Sequence, residues 1–339
     1  MKYYAGIDLH SNNSYVAIMD ENGVAKFKQK LPNDMEAILT ALNVFGKDSL
    51  VGIVVESTFN WYWLVDALEE SGYKVHLANP SGIEQYQGLK HTDDKTDALW
   101  LAEMLRLNIL PTGYIYPQKE RALRDLLRKR TLLVQHRTAL LLSLKGTLHN
   151  WTGETVSRAG IKNIGNTELI NQCPHAHTTM SIHSLHHVIE SFNNEIKQIE
   201  LTVFKDVKLK APFKNLLSVW GIGPVLATTI LLETGEISRF ADVGRYSSYC
   251  RCVRSEKFSN ERKKGSGNKK NGNRYLAWAF TEAAYYMKRY HQKARGWFDK
   301  KAARRGSVVA TKALSNKIAR ACYFVMRDQV PFDPVKLFG

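Results

Sequence analysis

Short apolar runs dominate the first hundred residues. Residues 3–9, 14–20 and 23–30 read as three successive strands, with turns supplied by Asn12-Asn13 and Glu21-Asn22-Gly23. The period then lengthens to a helix over 34–45. The run Leu50-Val51-Gly52-Ile53-Val54-Val55 is apolar throughout and closes on Glu56, the pattern of a strand buried on both faces. A helix over 61–71 leads to a strand at 73–77. A third helical pattern opens near Asp94 and carries Ala98, Leu101 and Leu105 on one face.

Beyond residue 110 the periodicity is helical. Pro111 and Pro117 bracket a linker, and a long basic helix follows over 119–150, with Leu123, Leu127, Val134, Leu141 and Leu148 along one side. Residues 151–180 lack periodicity and read as a connection. Ile182, Leu185, Ile189, Phe192, Ile196, Ile199 and Val203 then alternate by three and four, which predicts a coiled coil with the 119–150 helix or with another protomer. Gly221-Ile222-Gly223 after Trp220 fits either a helix-hairpin-helix, whose amides would receive phosphate oxygens, or a plain packing corner. Two helices over 275–290 and 308–326 close the chain. The expected architecture is α/β plus α. Three antiparallel strands followed by alternating helices and parallel strands is the order of a ribonuclease-H-like domain. That domain is expected over 1–110, a helical or coiled-coil region over 111–208 and a mostly helical domain over 209–339.

Charge changes the picture more than composition does. The net charge is +16 over 339 residues. Residues 1–100 hold 8 Lys/Arg against 14 Asp/Glu, a net of −6, and the remainder carries +22. An acidic front and a strongly basic back suggest a catalytic module joined to one that binds nucleic acid. Four cysteines show no Cys-x-x-Cys pair, which disfavours both a disulfide framework and zinc, even with His175 and His177 near Cys173. No apolar run reaches the roughly 18 residues needed to span a bilayer, and Met1 leads straight into a strand. The expectation is a cytoplasmic protein acting at the nucleoid, without a membrane partner.

The candidate chemistry lies in four carboxylates. Asp94 and Asp97 stand three apart at a helix start, where the simplest reading is capping by Asp93 or Asp94. Asp8 and Glu56, however, end neighbouring apolar strands, and ligands of open α/β sheets bind at strand carboxyl ends. Together the four offer hard oxygen ligands for Mg²⁺ or Mn²⁺. Two such ions would bind a phosphate and polarise both the attacking and the leaving oxygens. This is metal-dependent phosphoryl transfer on nucleic acid, with hydrolysis and strand transfer both open.

Tyr4-Ala5-Gly6-Ile7-Asp8, Val54-Val55-Glu56-Ser57-Thr58 and Asp94-Lys95-Thr96-Asp97-Ala98 resemble the DEDD motifs of the insertion-sequence "one-ten" transposases and the related Piv-type DNA invertases. Gly221-Ile222-Gly223, Arg239-Phe240, Tyr246 to Tyr249, and the stretch from Ser255-Glu256 through Ser259 to Lys270-Asn271-Gly272-Asn273 are similar to that family's second half, in the same order. The resemblance implies a RuvC-like domain, a coiled-coil insertion and a transposase domain with a nucleophilic serine. It implies Asp8, Glu56, Asp94 and Asp97 as catalytic metal ligands and Ser259 as nucleophile. Gly221, Gly223, Arg262, Lys263, Lys264, Lys269, Lys270 and Arg274 would contact nucleic acid. Donor and target duplex DNA, a structured non-coding bridge RNA and a homo-oligomer, dimer or tetramer, are the implied partners. The chain departs from the family pattern at Asp93, which precedes the third carboxylate, and at Asn260-Glu261, which follow Ser259; Ser255 and Ser266 stand as alternative nucleophiles. Rival readings are a hydrolytic RuvC-like nuclease, an actin-like sugar kinase opening on Gly6-Ile7-Asp8, and a non-catalytic nucleic-acid-binding protein.

Overall fold

A computed structural model describes residues 1–83, 94–157, 160–161, 173, 175–253, 256–259, 262–266 and 271–338. The chain forms two compact units, Met1–Gln118 and Lys119–Gly339.

The first unit is built on a six-stranded sheet: β1 (Tyr3–Leu9), β2 (Asn13–Asp20), β3 (Ala25–Pro32), β4 (Leu50–Glu56), β5 (Val75–Ala78) and β6 (Thr112–Gly113), in the order β3-β2-β1-β4-β5-β6. β1 to β3 are antiparallel neighbours, and β4 and β5 run parallel to β1. Its helices among the described residues are α1 (Met35–Asn43), α2 (Tyr62–Glu70) and α3 (Asp94–Arg106). α1 begins at Asp34, whose carboxylate accepts the Ala37 amide, a side-chain N-cap. The apolar runs become the core: Ile7, Leu9, Val16, Ile18, Ile53 and Val55 are buried with Ile38, Leu42, Leu64 and Leu68 of α1 and α2. On the other face Leu101 and Met104 of α3 pack with Val54 and Ala78. The segment expected as a linker turns back onto the sheet instead. Thr112 and Gly113 pair with Ala78 and Leu77, because β5 would otherwise expose its outer hydrogen-bonding edge.

The second unit is mostly helical. α4 (Gln118–Thr152) and α5 (Ala176–Val207) pack side by side in opposite directions. Arg130 pairs with Glu200 at 2.7 Å, Arg137 donates to Asn193 at 2.7 Å, and Leu144 and Leu148 cluster with Ile182 and Ile189. Ile182, Ile189, Ile196 and Val203, seven apart, are the buried positions of the seam, and its partner is therefore the 119–150 helix of the same chain. Among the described residues there follow α6 (Ala211–Leu217), α7 (Pro224–Thr234), α8 (Val243–Tyr249), the hairpin β7 (Glu256–Ser259) and β8 (Arg262–Ser266), α9 (Arg274–Tyr290), α10 (Gln292–Arg305), α11 (Ser307–Asp328) and α12 (Pro334–Phe338). Tyr246, Phe280, Met287, Leu314 and Ile318 form the centre of its core. α10 has no counterpart in the hydrophobic pattern: its sequence QKARGWFDKKAARR buries only Ala294 and Phe298. The four cysteines are free and buried, and burial pushes the Cys250, Cys252 and Cys322 thiols up, so that they are held as thiols.

Candidate active site

The sheet register brings the first two carboxylates together. Ile7 pairs with Val55 across the parallel β1–β4 ladder, so Asp8 and Glu56 are the next residues of adjacent strands. Asp8 is 3% exposed. Its Oδ2 lies 3.1 Å from Nε2 of His10, and it shares a hydrogen bond with Glu56.

Asp97 arrives from above the sheet, and Gly6 makes this possible. A methyl group on Gly6 would overlap the Ala98 carbonyl and come within 2.8 Å of the Ala102 backbone nitrogen, so α3 lies directly on the β1 backbone. Ala98, Leu101 and Ala102, all fully buried, continue that contact. One residue before Ala98, Asp97 faces the strand ends. The electrostatic result falls on Glu56. Burial, then the charges of Asp8 and Asp97, push its carboxyl from the ordinary 4.5 up to about 7. Asp94 opens α3, three residues before Asp97. Its side chain and all of Asp93 lie outside the described residues.

The donor set suits a hard divalent cation. Like-charged carboxylates at the end of a sheet repel, and a cation between them removes that repulsion and displaces the proton that Glu56 otherwise retains. Asp8, Glu56 and Asp97 would hold it. Among the described residues, which leave out the Asp94 side chain, no three His, Cys, Asp or Glu side chains are placed to hold a metal ion.

His10 was not among the candidates from sequence, and its only signal is the Asp8-x-His10 spacing past a strand end. The turn carrying it is held by amides: Asn33 and Asn60 both donate to the His10 carbonyl, at 2.9 and 3.1 Å. Ser14 in turn donates to Asn33 at 2.7 Å.

In the second unit, Ser259 ends β7, and its backbone pairs with Arg262, the first residue of β8. The ladder runs over Glu256–Ser259 on one strand and Arg262–Ser266 on the other, with Ser259 at its last pair. The side chains of Ser259, Lys263 and Ser266, and all of Ser255, Lys269 and Lys270, lie outside the described residues; Arg262 and Lys264 are exposed. Past the hairpin the chain is anchored firmly. Asn273 caps α9 by accepting the Tyr275 and Leu276 amides at 2.8 and 3.1 Å, and it donates to Glu233 at 2.7 Å. Glu233, 2% exposed, receives both arms of Arg128 from α4, at 2.6 and 2.7 Å. The Arg128 guanidinium also lies 4.7 Å from the Tyr275 ring centre. Arg274 stacks on the same ring at 4.9 Å.

The two glycines of the Gly-Ile-Gly turn differ. Gly221 has φ +81, and a side chain there would press within 2.7 Å of the Met287 nitrogen, so it serves close packing against α9. Gly223 is open and stands at the start of α7.

A transposase family model, of the DEDD type, matches residues 5–151. A second, described as transposases of the IS116/IS110/IS902 family, matches residues 213–298. A Pseudomonas aeruginosa protein named "Probable family 20 transposase" is 23% identical over 282 residues, covering 80% of this chain and 82% of its own length. The first match spans the carboxylate-bearing sheet and α4, and the second spans the Gly-Ile-Gly turn, the hairpin and α9. With both signatures present in this order, the chain belongs to the IS110 family of transposases.

Proposed function

We propose that this transposase cuts and rejoins DNA strands with a RuvC-like metal centre on Asp8, Glu56, Asp94 and Asp97 and with Ser259 as nucleophile, directed to its sites by a structured non-coding RNA. The observation that carries the metal half is the raised Glu56 carboxyl, held up by Asp8 and Asp97 at adjoining strand ends. Mg²⁺ or Mn²⁺ bound there would neutralise phosphate charge and polarise the oxygens of the scissile diester.

The chain's own groups supply the rest. Asp8, next to His10, and Glu56 are fixed by the sheet; Asp97 is set by the close approach of α3 at Gly6. In the covalent step the Ser259 Oγ–phosphorus bond forms while one phosphorus–deoxyribose oxygen bond breaks. The hydroxyl proton would pass to a carboxylate, and the departing sugar oxygen would take a proton from that carboxylic acid or from water. A serine hydroxyl needs such a base. The phosphoserine ester retains the energy of the cleaved bond for rejoining, whereas attack by water loses it. Arg262, Lys263, Lys264, Lys269, Lys270 and Arg274 would offset phosphate charge. An RNA guide and a homo-oligomer rest on the family resemblance and on the basic second unit.

The decisive experiment traps the reaction on a nicked suicide duplex. Peptide mapping is expected to find DNA on Ser259. Ser259→Ala is expected to lose the adduct and keep DNA binding. An adduct on Ser255 or Ser266 would move the nucleophile. Cleavage by the alanine variant without an adduct would make the protein a hydrolytic RuvC-like nuclease. Site-specific recombination by RNA-free protein would remove the guide.

A further inference from the structure

The exposed tyrosines of the last turns of α9 belong to nothing described so far. Tyr286 and Tyr290 are 46% and 65% exposed, large values for aromatic rings on a helix whose opposite face is fully buried. Their planes lie within 8° of parallel, with centres 6.4 Å apart, so they project from α9 as successive rungs one turn apart. They wall a groove of about 720 Å³ together with Trp278, with Arg130 and Arg137 of α4 and with the Gly-Ile-Gly turn. Arg289 sits 5.4 Å from the Tyr290 ring, and Lys288 sits 4.4 Å from the neighbouring Tyr285. The surrounding unit holds 39 Lys/Arg against 17 Asp/Glu.

We propose that this groove between α4 and α9 binds unpaired nucleotides, their bases stacked on Tyr286, Tyr290 and Trp278 and their phosphates facing the guanidinium groups. The assignment rests on the nucleic-acid reading above and names what part of the nucleic acid enters here. Three observations select unpaired bases over duplex. Duplex binding needs charge along a phosphate backbone and gains nothing from exposed parallel rings, whereas every unpaired base offers a face to stack on. The groove is a concave pocket of the size of one or two nucleotides rather than a broad basic surface. Its wall also holds Glu282, a carboxylate that would repel phosphate but accepts hydrogen bonds from the amino group of a base edge. A protein partner would use the same rings as apolar anchors, but the charge of this unit favours a polyanion.

The test uses the full chain with Tyr286→Ala and Tyr290→Ala, singly and together, and with the matching phenylalanine variants. Both side chains are exposed, so the fold is retained, and far-ultraviolet dichroism and the melting curve verify this. Affinity is measured with short oligo(dT), short oligo(U) and a duplex of equal length. Loss of about tenfold in single-strand affinity for each alanine is expected, with phenylalanine retaining it and duplex affinity unchanged. Tighter binding of oligo(U) than oligo(dT) would identify RNA as the occupant, and the reverse would identify displaced DNA. Equal loss on duplex and single strand, or no loss on either, overturns the proposal while leaving the nucleic-acid reading intact. Failure of the unaltered protein to bind any of the three probes defeats both.

Discussion

Replacing Glu56 by Gln removes one charge from the strand-end cluster and keeps the shape of the side chain. In the folded chain the carboxyl titrates near 7 instead of 4.5, first through burial and then through Asp8 and Asp97. A carboxyl with a raised folded-state pKa binds its proton more tightly folded than unfolded. Its contribution to stability is therefore complete below about pH 4.5 and is lost as pH rises through about 7. At about 1.4 kcal/mol per tenfold change in proton affinity, the gap bounds the effect near ~3.4 kcal/mol. Glu56 is only half-buried, and solvent screening reduces the usable figure to roughly 1–2 kcal/mol. Glutamine needs no proton to become neutral. At about pH 8 in chelator the Glu56→Gln variant should therefore be more stable than the unaltered protein by roughly 1–2 kcal/mol, or about 4–8 °C in the melting of this unit. At about pH 5, where Glu56 is already protonated, the two should coincide. Differential scanning calorimetry in chelator at both pH values measures this. Millimolar Mg²⁺ should then reverse the order at about pH 8, because a cation stabilises only the carboxylate cluster that binds it. Equal stability of the two proteins at about pH 8, or equal protection of both by Mg²⁺, would refute the reasoning.

Gly6→Ala should destabilise the first unit by about 1–3 kcal/mol, since a methyl group must push α3 off β1. It should also lower metal-dependent cleavage by displacing Asp97; urea unfolding and a cleavage assay read the two effects, and unchanged unfolding would remove Gly6 from this role. Arg128→Met should cost about 3–5 kcal/mol, because it leaves the Glu233 carboxylate buried without its bidentate partner. Denaturant midpoints of that variant and of the Arg128→Met, Glu233→Leu pair check the cause: removing both should recover most of the loss.

How much of this was legible in the sequence follows from the range of the interactions. The strands of the first unit, the carboxylates closing two of them, and the long helices of the second are written in periodicity, since apolar spacing of two or of three and four is a local property. The heptad seam of α5 is legible in the same way, but it names no partner. Only the fold decides that the seam is covered by α4, because the contacts join residues fifty to seventy positions apart, as in Arg137–Asn193 and Arg130–Glu200. The Asp-x-x-Asp spacing put Asp94 and Asp97 on one helix. That the charge of Asp97 bears on Glu56 depends on α3 lying on β1 at Gly6, a contact between residues more than ninety positions apart in the chain. The signal there was the absence of a side chain, which pattern-reading passes over. The Arg128–Glu233–Asn273 network and the Tyr286–Tyr290 groove were not legible because their side chains come from segments far apart in the chain. α10 escaped for a different reason: too few apolar positions, because its neighbours cover it on one narrow edge. Composition and period determine which segments form and which face each buries. Which faces meet, and therefore which carboxylates share a site and which aromatic rings are left for a ligand, is decided by three-dimensional packing of residues distant in sequence.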